Sequence, residues 1–294
     1  MTSLVASLPA FGRALQRALW SVNPEQRAQL AEALARLAER ETDHRFANAL
    51  NRAFAPIARR FTAQLAAQLA RLGQHVAEAA QNVGGLLVES AEPSDRERSR
   101  VDEILAASRL RDWADRHLRP VYGERYLRVA EVVVETVNAQ LSLGVMLPDP
   151  VAQRVIAEGG RRVGLLDLAA DTREALFRTI ELARLEGLGP PAVARLIRSE
   201  VPAGRFVNAG PRYRAELIAR TETLHAQRFS SLEVYRSAET VVSVQMWDNL
   251  SGFGDSECVG RDGQIVSFDR AEYEMASTHP ACTLGFAPVV AGAL

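Results

Sequence analysis

The chain has 294 residues, of which 47% are hydrophobic and 24% are charged. These proportions are typical of a globular protein and exclude a chain that is disordered throughout. The formal net charge is −1, which argues against a uniformly basic nucleic-acid-binding protein. The chain contains 35 arginines and no lysine, so Schiff-base chemistry on a lysine amine is excluded.

Three further features narrow the class of protein. No apolar run reaches the roughly 20 residues that a membrane-spanning helix needs, so no membrane association is expected. Residues 1–20 read as an amphipathic helix rather than as a signal peptide. The two cysteines, Cys258 and Cys282, are too few for a disulfide framework, and they indicate a reducing compartment.

The first half of the chain has the periodicity of amphipathic helices. One helix is predicted over residues 26–39, with Asn23 as its cap before Pro24. A second is predicted from about residue 43 to 83, with an interruption at Pro56. Its apolar stripe consists of Phe46, Leu50, Phe54, Ile57, Phe61, Leu65 and Leu69. Such a stripe is typical of the inner face of a helical bundle, and equally of a surface that docks on a partner helix.

Charged residues and prolines divide the middle of the chain. Residues 88–100 are predicted to be a loop, with Ser94 or Asp95 capping the helix that follows. Another helix is predicted from about residue 124 to 143. The segment Leu147-Pro148-Asp149-Pro150 then breaks the helical pattern.

The second half ends in a strand-like pattern. Four helices are predicted before it, over residues 151–157, 171–186, 190–200 and 211–237. Strands are predicted over 241–247, over 264–268 after an Asp262-Gly263 turn, and over 283–290. The sequence therefore predicts a predominantly α-helical α+β fold. A helical region, 1–145, precedes an α+β domain, 146–294, with a long helix and a small antiparallel sheet.

Several short motifs follow one another in this second half. They are Asp149-Pro150-Val151, Leu188-Gly189-Pro190-Pro191, the run RAELIARTET at 214–223, Trp247, Asp255-Ser256-Glu257-Cys258, Asp262-Gly263 and His279-Pro280-Ala281-Cys282. In this order and spacing they resemble the phage Mu F-like, head-morphogenesis family of minor capsid proteins. The resemblance covers roughly residues 145–290, which is half of the chain.

The resemblance implies a structural minor head protein of a tailed bacteriophage, and not an enzyme. Such a protein acts in capsid assembly at or near the portal vertex, in multiple copies per virion, with links to DNA packaging or ejection. Its implied partners are the portal protein, the major capsid or scaffolding protein, and packaged double-stranded DNA. The implied location is the virion, and the host cytoplasm during assembly. Residues 1–145 are then the expected partner-binding region.

The cysteines and one histidine form a candidate metal site. Many family members have paired cysteines at both the acidic turn and the His-Pro motif, whereas here Leu284 replaces one of them. The candidate zinc ligands are Cys258, His279 and Cys282, with Asp255 as the fourth. One alternative is that the cysteines are small buried apolar residues and that His279 is hydrogen-bonded in its turn. Another is a cysteine nucleophile with a histidine base, which lacks a recognisable motif.

A glycine-rich turn is a candidate for DNA contact. Gly187 and Gly189 precede a predicted helix that carries Arg195, as in helix-hairpin-helix modules whose turn amides bind a phosphate. The alternative is an ordinary connection in which glycine ends one helix and proline begins the next.

Arg220 and Glu222 lie in the longest predicted helix of the second half. If they are catalytic, Arg220 and Glu222 are candidates for an acid–base or ADP-ribosyltransferase-like site. The favoured hypothesis is a structural polar pair, in which each residue links the long helix to the sheet.

Overall fold

The structure is a computed structural model, and it describes residues 24–83, 95–141, 144–162, 165, 167–206, 209–248, 260–280 and 282–290. The helix predicted over residues 1–20 lies outside these ranges, as does the first part of the loop predicted over residues 88–100. The chain divides into two compact units, 1–46 and 47–294. The domain boundary predicted at residue 145 stays a prediction.

The described elements follow one another from helices to a small sheet. The helices are α1 (Pro24–Asn82), α2 (Asp95–Ser108), α3 (Leu110–His117), α4 (Arg119–Leu141), α5 (Asp149–Glu158), α6 (Leu168–Leu185), α7 (Pro190–Ala203), α8 (Gly210–Ser237) and α9 (Phe268–Ala276). The strands are β1 (Val241–Asp248), β2 (Ile265–Val266) and β3 (Leu284–Val290), in the order β2-β1-β3. Both strand pairs are antiparallel. The predicted α-helical α+β class is confirmed.

Helix α1 continues through Pro56, so the interruption predicted there is wrong. All seven residues of the predicted stripe are buried, whereas Pro56 itself is exposed. Proline removes one helical hydrogen bond, to the carbonyl of Arg52. Because Arg52 is also exposed, water can satisfy that carbonyl, and burial of Phe54 and Ile57 on either side outweighs the loss.

In the second unit, one hydrophobic core brings α1 together with α2, α3, α6, α7 and α8. Close packing of α1 on α7 depends on Gly73, because a Cβ there would lie 2.7 Å from both the Arg198 carbonyl oxygen and Pro202 Cγ. On the α4 side, the rings of Phe61 and Tyr122 meet edge to face at 5.3 Å.

The sheet differs from its prediction at one place. Residues 264–268 were predicted as a strand, but β2 spans Ile265–Val266 and Phe268 begins α9. Ser267 caps this helix, its hydroxyl accepting a hydrogen bond from the Arg270 amide at 3.3 Å. The chain therefore leaves the sheet two residues earlier than its β-branched residues suggest. Helix α9 was not predicted.

Candidate functional site

Helix α8 buries an unusual number of polar side chains. These are Arg214, Thr221, Glu222, Thr223, His225, Gln227, Arg228, Ser230 and Ser231. Buried polar groups are costly unless they are hydrogen-bonded, so their partners show what the helix does. The long-range partners of Arg214, Glu222, His225 and Arg228 fall into three groups, which follow one another along α8.

The first group surrounds Arg214, whose side chain is 1% exposed. Its Nη2 donates to Asp171 Oδ2 at 2.9 Å, which joins α8 to α6. Its Nη1 donates to the carbonyls of Val201 and Pro202 at 3.1 and 3.3 Å, which joins α8 to the end of α7. One guanidinium thus holds three helices together.

Burial shifts both members of this ion pair toward their neutral forms. It raises the pKa of Asp171, although Arg214 and Arg205 act in the opposite direction. Burial also lowers the pKa of Arg214, with Asp171 opposing. Desolvation therefore outweighs the attraction between the two charges, so the pair fixes geometry more than it adds stability.

The second group surrounds Glu222, which is fully buried. Tyr126 of α4 donates its hydroxyl to Glu222 Oε2 at 2.5 Å, and the Gly160 amide donates to the same oxygen at 3.2 Å. Burial raises the pKa of Tyr126 well above its ordinary value, and Glu222 adds to that shift. The hydroxyl accordingly stays protonated and donates to the carboxylate.

One turn further along α8, His225 makes a contact of the same kind. Its Nε2 lies 3.2 Å from Glu158 Oε1 at the end of α5. Arg154 of α5 is paired with Glu233 of α8, two turns after His225. Together with the Glu222 contacts, these pairs hold α5 and the following turn against α8.

The third group joins α8 to the outer edge of β3. Arg228 Nη1 donates to the carbonyls of Cys282 and Leu284 at 2.8 and 3.0 Å. Tyr235 donates its hydroxyl to the carbonyl of Phe286 at 3.2 Å. Both donors are almost completely buried.

The sheet register explains why these carbonyls are free to bind side chains. Met246 uses both its amide and its carbonyl toward β2, bonding to Gln264 and Gly263 at 2.8 Å each. Its partner on β3 is Phe286, so Phe286 directs its own backbone groups away from β1. The same alternation turns Pro288 outward, where its missing amide costs no strand pairing. Arg228 and Tyr235 thereby cover an edge that would otherwise be open to another strand.

The candidate zinc ligands are only partly within the described residues. Asp255 and Cys258 lie outside them. His279 is exposed, with its Nδ1 2.9 Å from the Pro280 carbonyl oxygen, whereas Cys282 is fully buried. Among the described residues, no three His, Cys, Asp or Glu side chains are grouped so that they could hold a metal ion. The zinc site stays a prediction.

The glycine-rich turn has the geometry of a helix-to-helix connection. Gly187 has a φ of 63° and ends α6, with the Leu188 amide donating to the Ala183 carbonyl at 2.8 Å. Gly189 immediately precedes α7, and Pro190 is the first residue of that helix. Gly187, Gly189 and Arg195 are all exposed. The turn is therefore accessible, and DNA contact through it stays a prediction.

The predicted pair of Arg220 and Glu222 is divided between two environments. Arg220 is exposed, whereas Glu222 is enclosed and contacts α4 and the turn after α5, not the sheet. The residues that do link α8 to the sheet are Arg228 and Tyr235, which the sequence analysis missed. One sign of this link was present in the sequence, an arginine and a tyrosine seven residues apart, which lie on the same face of a helix.

This arrangement serves to hold elements in place. The carboxylate of Glu222 and the guanidinium groups of Arg214 and Arg228 are enclosed and already hydrogen-bonded. A catalytic group needs access to a substrate, which Glu222 lacks in this arrangement. In the described part of the chain, none of the helices is both long and apolar enough to cross a membrane. Comparison with protein-family models, curated proteins and solved structures finds no match for this chain.

Proposed function

We propose that the chain is a structural minor head protein of a tailed bacteriophage. It acts in capsid assembly at or near the portal vertex, with a part in DNA packaging or ejection. The proposal starts from the ordered motifs of residues 145–290, which resemble the Mu F-like family. It treats the chain as a structural protein and not as an enzyme.

The observation that carries the proposal is how the motif at residues 214–223 is used. Arg214 and Glu222, near its two ends, are buried and bind α4, α6 and α7 as well as the turn after α5. Buried, hydrogen-bonded networks of this kind make a fold rigid, which suits a structural role. The same burial counts against the alternative of an ADP-ribosyltransferase-like enzyme that uses Glu222.

The portal protein and the major capsid or scaffolding protein are the proposed partners, together with packaged DNA. Residues 1–145 are the proposed partner-binding region. Within it, residues 1–46 form a compact unit of their own, which makes them the first segment to test. Removing residues up to about 140 would take Phe61, Leu65 and Leu69 out of the core of the second unit, so that longer deletion is a poor test.

Co-expression with the portal protein of the same phage tests the proposal. The full chain is expected to co-purify with the portal protein in a fixed ratio, and a chain lacking residues 1–46 is expected to lose the association. Circular dichroism checks that the shortened chain keeps its helical fold. Normal association of the shortened chain would remove the partner-binding role from this unit. No association of either chain would count against the minor-head function itself.

A DNA-binding module is the second candidate, favoured by the exposed Gly187–Gly189 turn at the start of α7. One exposed carboxylate, Glu186, directly precedes Gly187 and opposes a phosphate. Gly189→Leu is a clean test, because Gly189 has an ordinary φ of −76° and its nearest neighbour to a Cβ is Pro191 Cδ at 4.0 Å. DNA binding through the turn predicts steeply salt-dependent fluorescence anisotropy that this variant weakens. Salt-insensitive or absent binding would dispose of the candidate.

A further inference from the structure

Asp248, the last residue of β1, has a fully buried side chain, and its two carboxyl oxygens differ in their hydrogen bonding. Its Oδ1 accepts a hydrogen bond from the Thr283 hydroxyl. Its Oδ2 is buried and has no hydrogen-bond partner among the residues that the structure describes. No arginine or histidine of the described residues forms an ion pair with it. An ionised carboxylate in such a position is costly unless a cation balances it.

A second carboxylate lies beside Asp248. Asp262, in the turn before β2, accepts the Asp248 amide hydrogen through its Oδ1 at 3.0 Å. Since an aspartate's own carboxyl oxygens lie within about 4.6 Å of its amide nitrogen, the two carboxyl groups are at most about 8 Å apart. Asp262 is half-buried, and the hydrogen bond from the Asp248 amide uses only its Oδ1, which leaves its second carboxyl oxygen for a cation.

We propose that Asp248 and Asp262 together bind one hard divalent cation of the Mg²⁺ class. Carboxylate oxygens are the ligands such cations prefer, and Mg²⁺ commonly uses one or two carboxylates and keeps several waters. A site of two carboxylates therefore suffices without a third acidic, histidine or cysteine ligand. This site is all-oxygen, and it differs in residues and chemistry from the candidate zinc set.

Its position assigns the cation a structural task. Asp248 ends β1, Asp262 belongs to the turn that leads into β2, and Thr283 directly precedes β3. A cation held by the two aspartates would fasten this end of the sheet, where β2 contributes only two paired residues. The competing account is that Asp248 binds no cation.

Electron paramagnetic resonance with Mn²⁺ as the probe decides between the two accounts on the full chain. The proposal predicts one bound Mn²⁺ per chain, which Mg²⁺ displaces. Asp248→Asn and Asp262→Asn should each weaken Mn²⁺ binding at least tenfold. Asp269→Asn is the matched control, because Asp269 is fully exposed on α9, and it should leave binding unchanged.

Two results would overturn the proposal. One is the absence of stoichiometric Mn²⁺ binding by the full chain, as the competing account expects. The other is binding that both variants retain, and its loss in Cys282→Ser would then assign the metal to the cysteine–histidine set. Circular dichroism checks that Asp248→Asn folds. If it does not, the half-buried Asp262→Asn decides alone.

Discussion

Gly204 lies directly against the guanidinium of Arg214. A Cβ on Gly204 would be 2.8 Å from Nη1 and 2.9 Å from Cζ of that arginine. Gly204 also has a φ of 58°, a conformation that residues with a side chain rarely adopt. The turn after α7 therefore requires glycine at this position for two reasons. Its backbone conformation disfavours a side chain, and a Cβ would collide with the buried ion pair.

Gly204→Ala is expected to lower the free energy of unfolding by about 3 kcal/mol, because backbone strain and a clash with Arg214 add together. Gly210→Ala is the matched control. Gly210 has a φ of 78° but nothing within 4 Å of its Cβ position, so only the strain of about 1 kcal/mol should remain. Urea denaturation measures both losses. Equal losses would contradict the close contact with Arg214.

Tyr126→Phe should destabilise the protein by about 2 kcal/mol, since it takes a charge-assisted hydrogen bond from the buried Glu222. Tyr273→Phe provides the comparison, because Tyr273 is 64% exposed and its loss should cost under about 0.5 kcal/mol. Thermal or urea unfolding compares the two. A change below about 0.5 kcal/mol in Tyr126→Phe would show that Glu222 does not depend on this donor.

The protein is expected to lose stability in alkali from about pH 10 upward. Burial raises the pKa of Tyr122, Tyr126 and Tyr235 above the ordinary 10.0, so the folded state keeps three protons that the unfolded state releases. The contribution of these tyrosines to the free energy of unfolding is fully present below pH 10. As the pH rises further, that free energy falls by about 1.4 kcal/mol per pH unit for each tyrosine.

Tyr122→Phe tests this directly, since the fall with pH should become shallower by about the share of one tyrosine. Urea unfolding between pH 8.5 and 11 measures the slope for this variant and for the unaltered chain. The exposed Tyr273→Phe should leave the slope unchanged. An identical slope in Tyr122→Phe would mean that the hydroxyl of Tyr122 ionises alike in the folded and unfolded states.

Arg228→Met should release the outer edge of β3, because the carbonyls of Cys282 and Leu284 lose their donor. The expected cost is about 3 kcal/mol, with faster amide exchange in β3 and a greater tendency to aggregate through the open edge. Arg220→Met, on the exposed side of the same helix, should change neither stability nor exchange. Hydrogen exchange followed by mass spectrometry reads out both variants. Unchanged protection of β3 in Arg228→Met would contradict the capping role.

Patterns that depend on local spacing were read correctly from the sequence. The stripe from Phe46 to Leu69 is buried as its three- and four-residue spacing predicts, and the turn at Gly187 and Pro190 follows the usual signals for a helix end and start. The prediction at Pro56 was wrong, because the free energy that a proline costs a helix depends on its surroundings. The cost is small where the carbonyl that loses its hydrogen bond faces water. That is a property of the packed helix and not of the residue.

Contacts between distant residues could not be read in this way. Arg228 meets Cys282 across 54 positions, and Tyr126 meets Glu222 across 96. Nothing in local periodicity tells a buried arginine from an exposed one. Arg220 was singled out because it stands in the motif at residues 214–223, and Arg228 lies outside that motif. Helix α9 was missed because Ile265 and Val266 favour a strand, whereas the cap at Ser267 ends it at once.

The most direct test of the minor-head proposal is co-purification of the full chain with the portal protein of its own phage, followed by light scattering of the isolated complex. The proposal predicts a complex of fixed stoichiometry that survives size-exclusion chromatography at physiological salt. Portal protein and chain that elute separately, with this chain folded by circular dichroism, would contradict it.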